Sequence, residues 1–206
     1  LNFTLGASIL PPLLVTFGLS VIIQNVLLEI FGADIRRLNA GPIEIASVVL
    51  PGGIAVGVLP IIVFVVALAA LGGLQLLLYR TKLGRAFRAT ADDAGTAALM
   101  GIDNRHLYAL AMAIALVFTA LAAVLFAART SFDPTSGPIR LIFAFEAVII
   151  GGLGSLWGTL AGGVILGVAQ AVGSAIDPGW QLLAGHVAFL AVLVLRPRGL
   201  FPRAVD

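Results

Sequence analysis

From Leu59 to Tyr79 the chain runs 21 residues without a charged side chain, and from Leu107 to Ala128 it runs 22. A bilayer core of about 30 Å takes about 20 apolar residues of helix to cross, so each stretch is long enough to span one. Lipid offers the backbone no water, so such a stretch must satisfy its own N–H and C=O groups as a helix. Of 206 residues, 60% are hydrophobic and 11% are charged; an ordinary soluble domain has about 25% charged residues. Too few polar side chains exist to cover a water-facing surface, and a disordered polymer needs the opposite balance. The sequence predicts an all-α, polytopic transmembrane helical bundle, one domain over residues 1–206 with a cytoplasmic loop at 80–106 inside it.

Further spans follow from the same criterion. Ile9 to Phe31 is one, with Gln24, Asn25 and Glu29 confined to its far end. Pro11 and Pro12 fall in its first turn, where proline is tolerated. Trp180 to Leu195 is shorter and draws on its flanks. Leu141 to Ile176 holds 36 residues and one charge, Glu146. As helix it would measure roughly 54 Å, too long for one span and slightly short for two. The run Gly151-Gly152-Leu153-Gly154-Ser155 predicts a break there, giving about six membrane segments in all. Asp34 to Val58 reads as an external loop with a short hairpin turning at Pro51-Gly52-Gly53, either a plain connector or a docking surface for an external partner.

Basic residues set the orientation. The 80–106 loop carries Arg80, Lys82, Arg85, Arg88 and Arg105, and the tail carries Arg196, Arg198 and Arg203. Placing both in the cytoplasm puts these eight there and leaves four outside: Arg36, Arg37, Arg129 and Arg140. The Gly-rich break then turns the chain near the cytoplasmic face.

Much chemistry is excluded. The chain has no cysteine, which removes disulfides, thiolate metal sites and Cys nucleophiles. A net charge of +2 over 206 residues is no basic patch for nucleic acid. Lys82, the only lysine, follows Thr81 and lies in no Walker-type phosphate loop. Ser155 lacks the spacing of a nucleophile elbow. His106 and His186 have no partner motif, and His186, with no acid near it in sequence, reads as a packing or hydrogen-bonding residue of the last span. No cofactor or metal is expected. No signal peptide is visible ahead of the first apolar run, and the start at Leu1 without Met reads as that of a fragment of a longer protein.

The 80–106 loop carries the most information. Arg85 and Arg88 are three apart and share a helix face. Thr90 or Asp92 can cap a second short helix, with Asp92 and Asp93 suiting its dipole. Ala94, Ala97, Ala98 and Met100 give it a small, mostly apolar surface, and Gly101 stands where a helix ends. Such a helix either lies on lipid or fits a cleft on a cytoplasmic partner. The small side chains favour the partner, because they let another backbone approach closely.

Here the chain resembles the branched-chain amino acid (Liv-type) inner-membrane permeases of ABC transporters. Arg80, Thr81, Gly84, Ala86, Arg88 and Ala89, then Asp92, Asp93, Ala97, Gly101 and Ile102, fit the family's ATPase-contacting segment. Thr16 to Asn25 (TFGLSVIIQN) resembles its T-x-G-L-S helix, Gly151 to Gly158 its G-G-x-G-S-x-x-G segment, and Arg196 to Phe201 its C-terminal R-P-x-G-L-F. Gly95 and Thr96 replace the family's Glu-Ala, and Gln170 stands where Glu is common.

The resemblance implies an N-terminally truncated permease subunit that is not itself an enzyme. It implies two cytoplasmic ABC ATPases, a second homologous permease, a periplasmic substrate-binding protein and surrounding lipid of a bacterial inner membrane. The ATPase contact would be made by Arg85, Arg88, Ala91, Asp92, Asp93, Ala97, Ala98, Gly101 and Ile102. The implied substrates are leucine, isoleucine and valine, or, as in relatives, urea or another small polar solute. An ion-coupled secondary transporter is the alternative from another class. Glu146 reads either as a pathway residue or as a helix-end partner of Arg140. Gly151, Gly152, Gly154 and Ser155 read either as pathway lining or as residues that let helices cross closely.

Overall fold

In a computed structural model of the protein, the described residues are 10–49, 51–53 and 55–201. Ile9 and Arg203, named above, lie outside them. The chain divides into two units, Leu1–Thr135 and Ser136–Asp206.

The first unit opens with helix α1 (Leu10–Phe31). A one-turn 3-10 helix at Gly41–Glu44 leads to the expected hairpin, β1 (Ser47–Val49) against β2 (Ala55–Gly57), antiparallel with Ser47 opposite Gly57. Helix α2 (Val58–Arg80) follows, then the short helices α3 (Lys82–Asp92) and α4 (Ala94–Leu99), then α5 (Asn104–Arg129). The second unit is three helices packed on one another, α6 (Gly137–Gly151), α7 (Leu156–Ile176) and α8 (Trp180–Leu195).

Helices α1, α2, α5 and α7 are each long and apolar enough to cross a membrane. Helices α6 and α8, with 15 and 16 residues, extend about 23 and 24 Å and are shorter than the bilayer core. The predicted break is present: α6 ends at Gly151, Gly152 and Gly154 take φ of +99° and +86°, and α7 starts at Leu156. Those angles are costly for any residue with a Cβ.

Apolar side chains such as Leu14, Phe17 and Leu116 stay exposed, as lipid permits and water would not. The tightest packing is in the second unit. Gly151, Gly158 and Gly162 are buried, and a Cβ on any of them would collide with the facing backbone of α6 or α7. Ile150, next to Gly151 in the chain, is 1% exposed.

Candidate functional site

The α3–α4 hairpin is built by hydrogen bonds that account for its sequence residue by residue. The last carbonyls of α2 have no partner within the helix. The Thr81 hydroxyl donates to the Leu77 carbonyl at 2.6 Å, and Arg88 Nη1 donates to the Leu78 carbonyl. The Arg88 guanidinium also lies over the Tyr79 ring, 5.1 Å from its centroid. Thr81 Oγ1 accepts from the Gly84 N–H at 3.1 Å and so caps α3. Gly84 is buried against the Leu77 and Leu78 carbonyls, where a Cβ would collide. Thr81, Gly84 and Arg88 therefore fold α3 back onto the end of α2.

Asp93 then separates α3 from α4. Its carboxylate accepts from the Thr96 hydroxyl at 2.6 Å, the Gly95 N–H at 2.8 Å and the Thr96 N–H at 3.1 Å. These bonds, that of the Thr96 hydroxyl foremost, hold the Asp93 carboxyl below its ordinary pKa. The cap is thus Asp93, not Thr90 or Asp92: both of those lie within α3. Gly101 ends α4 as expected, with φ +83°. Its N–H reaches the Ala98 carbonyl at 3.0 Å and the Ile102 N–H reaches that of Ala97 at 3.1 Å, the double closure of a Schellman motif. Asp103 caps α5 through the N–H groups of Arg105 and His106.

Of the expected contact residues, Arg85, Ala91, Asp92, Asp93, Ala98 and Gly101 are exposed, while Arg88 and Ile102 are half-buried. Ala97 turns inward and is 4% exposed, so it supports the hairpin and is no part of its outer surface. That surface ends in Leu99 and Met100, 88% and 79% exposed. Leu99 escapes notice in the sequence because one Leu beside alanines carries no signal. Asn104 also escapes it: it bonds the Thr90 hydroxyl at 3.1 Å and the Ala94 carbonyl at 2.6 Å.

In the second unit the expected residues divide into two places. Glu146 on α6 is 5% exposed and meets His186 on α8, with Oε1 2.5 Å from Nδ1. Its other oxygen, Oε2, is buried with no partner among the described residues. The Phe143 ring stacks on the imidazole, centroids 5.7 Å apart and planes 13° apart. The pairing of Glu146 with Arg140 is therefore replaced by one with His186, and His186 does have an acid beside it. Folding brings that acid from 40 positions away.

The glycine turn is a separate constellation. Ser155 Oγ accepts from the Gly158 N–H at 3.0 Å and caps α7. Gly151 and Gly152 are buried, Gly154 is exposed and Ser155 is half-buried. The C-terminal segment returns to this turn. The Leu200 N–H donates to the Ile150 carbonyl at 2.9 Å and the Phe201 N–H to that of Gly151 at 3.0 Å. Gly199, φ +79°, lies so close to Gly152 that a Cβ would overlap its backbone. Two motifs far apart in sequence thus form one structure: the tail satisfies carbonyls that α6 leaves open at its end.

Among the described residues no group of three or more His, Cys, Asp or Glu could hold a metal ion. Comparison with known proteins places this architecture. The family described as branched-chain amino acid transport system / permease component matches residues 8–195. The chain is 31% identical over 210 residues to the high-affinity branched-chain amino acid transport system permease protein BraD of Pseudomonas aeruginosa, covering 96% of this chain and 66% of BraD. It is 31% identical to LivH of Escherichia coli K12, over 69% of this chain and 47% of LivH, and 30% identical to LivM of that strain, over 61% and 30%. The chain thus spans about two thirds of BraD and about half of LivH. No solved structure is a significant match. The helices, the capped hairpin and the match over nearly the whole chain agree: the protein is a multi-pass membrane protein of the branched-chain amino acid transport system permease family.

Proposed function

We propose that the chain acts as the permease subunit of a binding-protein-dependent ABC importer of leucine, isoleucine and valine, and that the α3–α4 hairpin is where a cytoplasmic ATPase docks. The observation that carries this reading is the hairpin: a short helix locked at both ends and presenting Leu99 and Met100 almost fully to solvent. Exposed apolar side chains on a rigid support are what a partner's pocket takes as anchors. A hairpin bonded to the ends of α2 and α5 also transmits movement to the membrane helices instead of absorbing it.

The remaining partners follow from the same reading. Two ATPases bind and hydrolyse the ATP, and this chain carries no cofactor. A periplasmic binding protein delivers substrate. Similarity to both LivH and LivM supports a second, homologous permease. The eight basic residues of the loop and tail support a cytoplasmic position for both, in a bacterial inner membrane. The substrate class rests on the relatives' names; urea or another small polar solute is the alternative within the family. An ion-coupled carrier would need intramembrane carboxylates, and Glu146 already has one oxygen engaged by His186.

The test is the double variant Leu99→Asp, Met100→Asp, co-expressed with the ATPases and second permease. We expect ATPase retention on the purified chain to fall about tenfold or more, with substrate-stimulated ATP hydrolysis lost and membrane insertion unchanged. Normal retention sinks the docking role. Leucine uptake that needs no ATPase but follows an ion gradient sinks the importer reading.

A further inference from the structure

The Glu146–His186 pair is used by none of the roles described so far, and its two halves face different surroundings. The carboxylate is 5% exposed, whereas the His186 side chain is 44% exposed. His186 lies six residues into α8, about 9 Å from the helix start. A polar side chain at such depth faces a cavity, a water path or a polar partner, because lipid satisfies none of its hydrogen bonds. A carboxylate oxygen accepts, so Nδ1–H donates to Glu146 Oε1 and Nε2 is the ring's other polar atom, on a side chain 44% exposed. Phe143 stacks on the ring and fixes its plane. The arrangement is that of an oriented imidazole: a buried acid sets which nitrogen is left to accept, as it does for histidines that bind ligands elsewhere.

Charge selects the ligand. With Nδ1–H given to the carboxylate and Nε2 an acceptor, the pair carries a net charge of minus one and suits a cation that can donate a hydrogen bond. α7 has no titratable side chain, α8 has only His186, and α6 adds only Arg140 besides Glu146.

We propose that His186, oriented by Glu146 and Phe143, contacts the ammonium group of an amino acid substrate as it crosses the membrane. Nε2 accepts from the ammonium and the buried carboxylate supplies the attracting charge. Glu146 is a positioning residue in this scheme and touches no substrate. The inference rests on the transport role proposed above.

The chain has no cysteine, so a single introduced thiol reports cleanly. Leu190 is 55% exposed and stands four residues on from His186, on the same side of α8. Leu190→Cys therefore places a thiol beside the pair and leaves the pair intact. The assay uses the complete transporter in proteoliposomes, and ATP-driven leucine uptake by the unmodified complex is the control. If that control fails, the transport reading fails, while the thiol result still stands. We expect a cationic thiosulfonate to modify the introduced thiol about tenfold faster than an anionic one, and Glu146→Gln to abolish the preference. We expect His186→Phe to cut uptake about tenfold, the loss of one hydrogen bond to a charged group, while His186→Gln keeps most of it. A thiol unreactive to both reagents shows this side of α8 covered by lipid or another helix and overturns the proposal. So do equal rates for the two reagents, wild-type uptake by His186→Phe, or equal loss in the Phe and Gln variants.

Discussion

Thr90 and Asn104 meet across the hairpin, the hydroxyl of one 3.1 Å from Oδ1 of the other. Asn104 Nδ2 also donates to the Ala94 carbonyl at 2.6 Å. One side chain at the start of α5 therefore holds the last turn of α3 and the first residue of α4. Thr90 is 6% exposed, so its hydroxyl has no water to turn to. Asn104→Ala leaves that hydroxyl and the Ala94 carbonyl without this partner, which costs about 1–3 kcal/mol locally. Hydrogen exchange should quicken between residues 90 and 104 and stay unchanged in the middle of α5. Unaltered exchange in the hairpin would mean that Asn104 does not hold it.

Asp93 makes the same hairpin sensitive to acid. Its three accepted bonds, from the Thr96 hydroxyl and the Thr96 and Gly95 N–H groups, favour the ionised form and lower its pKa. A group whose pKa is lower in the folded state stabilises it above the ordinary value, and that contribution is lost as pH falls through the lowered one. The cap should therefore be intact at neutral pH and weaken only below the ordinary 3.8. The carboxyl carbon shift of Asp93, followed by NMR, should titrate with a midpoint below 3.8. Thr96→Val, which removes the largest cause, should move that midpoint upward. A midpoint indifferent to Thr96 would contradict this account of the cap.

The α6–α7 crossing separates glycines that are needed from glycines that are not. A Cβ on Gly158 would collide with the Gly151 carbonyl, whereas one on Gly163 would meet nothing within 4 Å. Overpacking of this kind costs about 1–3 kcal/mol. Alanine otherwise gains about 0.5–1 kcal/mol over glycine inside a helix. Gly158→Ala should lower the thermal midpoint of the purified protein in detergent, and Gly163→Ala should leave it unchanged or raise it. Equal effects would show that the close approach is not what selects glycine.

How much of this is legible in the sequence depends on the reach of each interaction. The ends of α8, the hairpin at Pro51-Gly52-Gly53 and the break after Gly151 follow from patterns within a few residues, and all are present. The closing turn at Gly101 is equally local. The cap of α4 falls a residue or more from its expected place because Thr90, Asp92 and Asp93 all have capping side chains, and the choice depends on where α3 stops. The expected Glu146–Arg140 pair fails for a geometric reason: residues six apart point to different sides of a helix, and only those three or four apart adjoin. Its replacement, His186, comes from another helix and leaves no local trace. The glycine turn reads two ways because tight crossing and pathway lining ask for the same residue type. The packing of Gly151 on Gly158 makes the first concrete.

The return of the tail to the glycine turn yields a topological prediction that no single motif contains. Leu200 and Phe201 bond the carbonyls of Ile150 and Gly151, so the α6–α7 turn and the C-terminal segment lie on one side of the membrane. If the tail shares the cytoplasmic side proposed for Arg80 to Arg105, the glycine turn lies there too. Leu153 is 69% exposed in the turn, and Arg198 is exposed in the tail. Leu153→Cys and Arg198→Cys, made singly in this cysteine-free chain, should react with a membrane-impermeant maleimide in inside-out vesicles and resist it in intact spheroplasts. Asn39→Cys, in the segment expected outside, should show the reverse. Opposite accessibility of the turn thiol and the tail thiol would break the link between tail and turn. Shared accessibility from the outside would keep that link and invert the orientation that the basic residues imply.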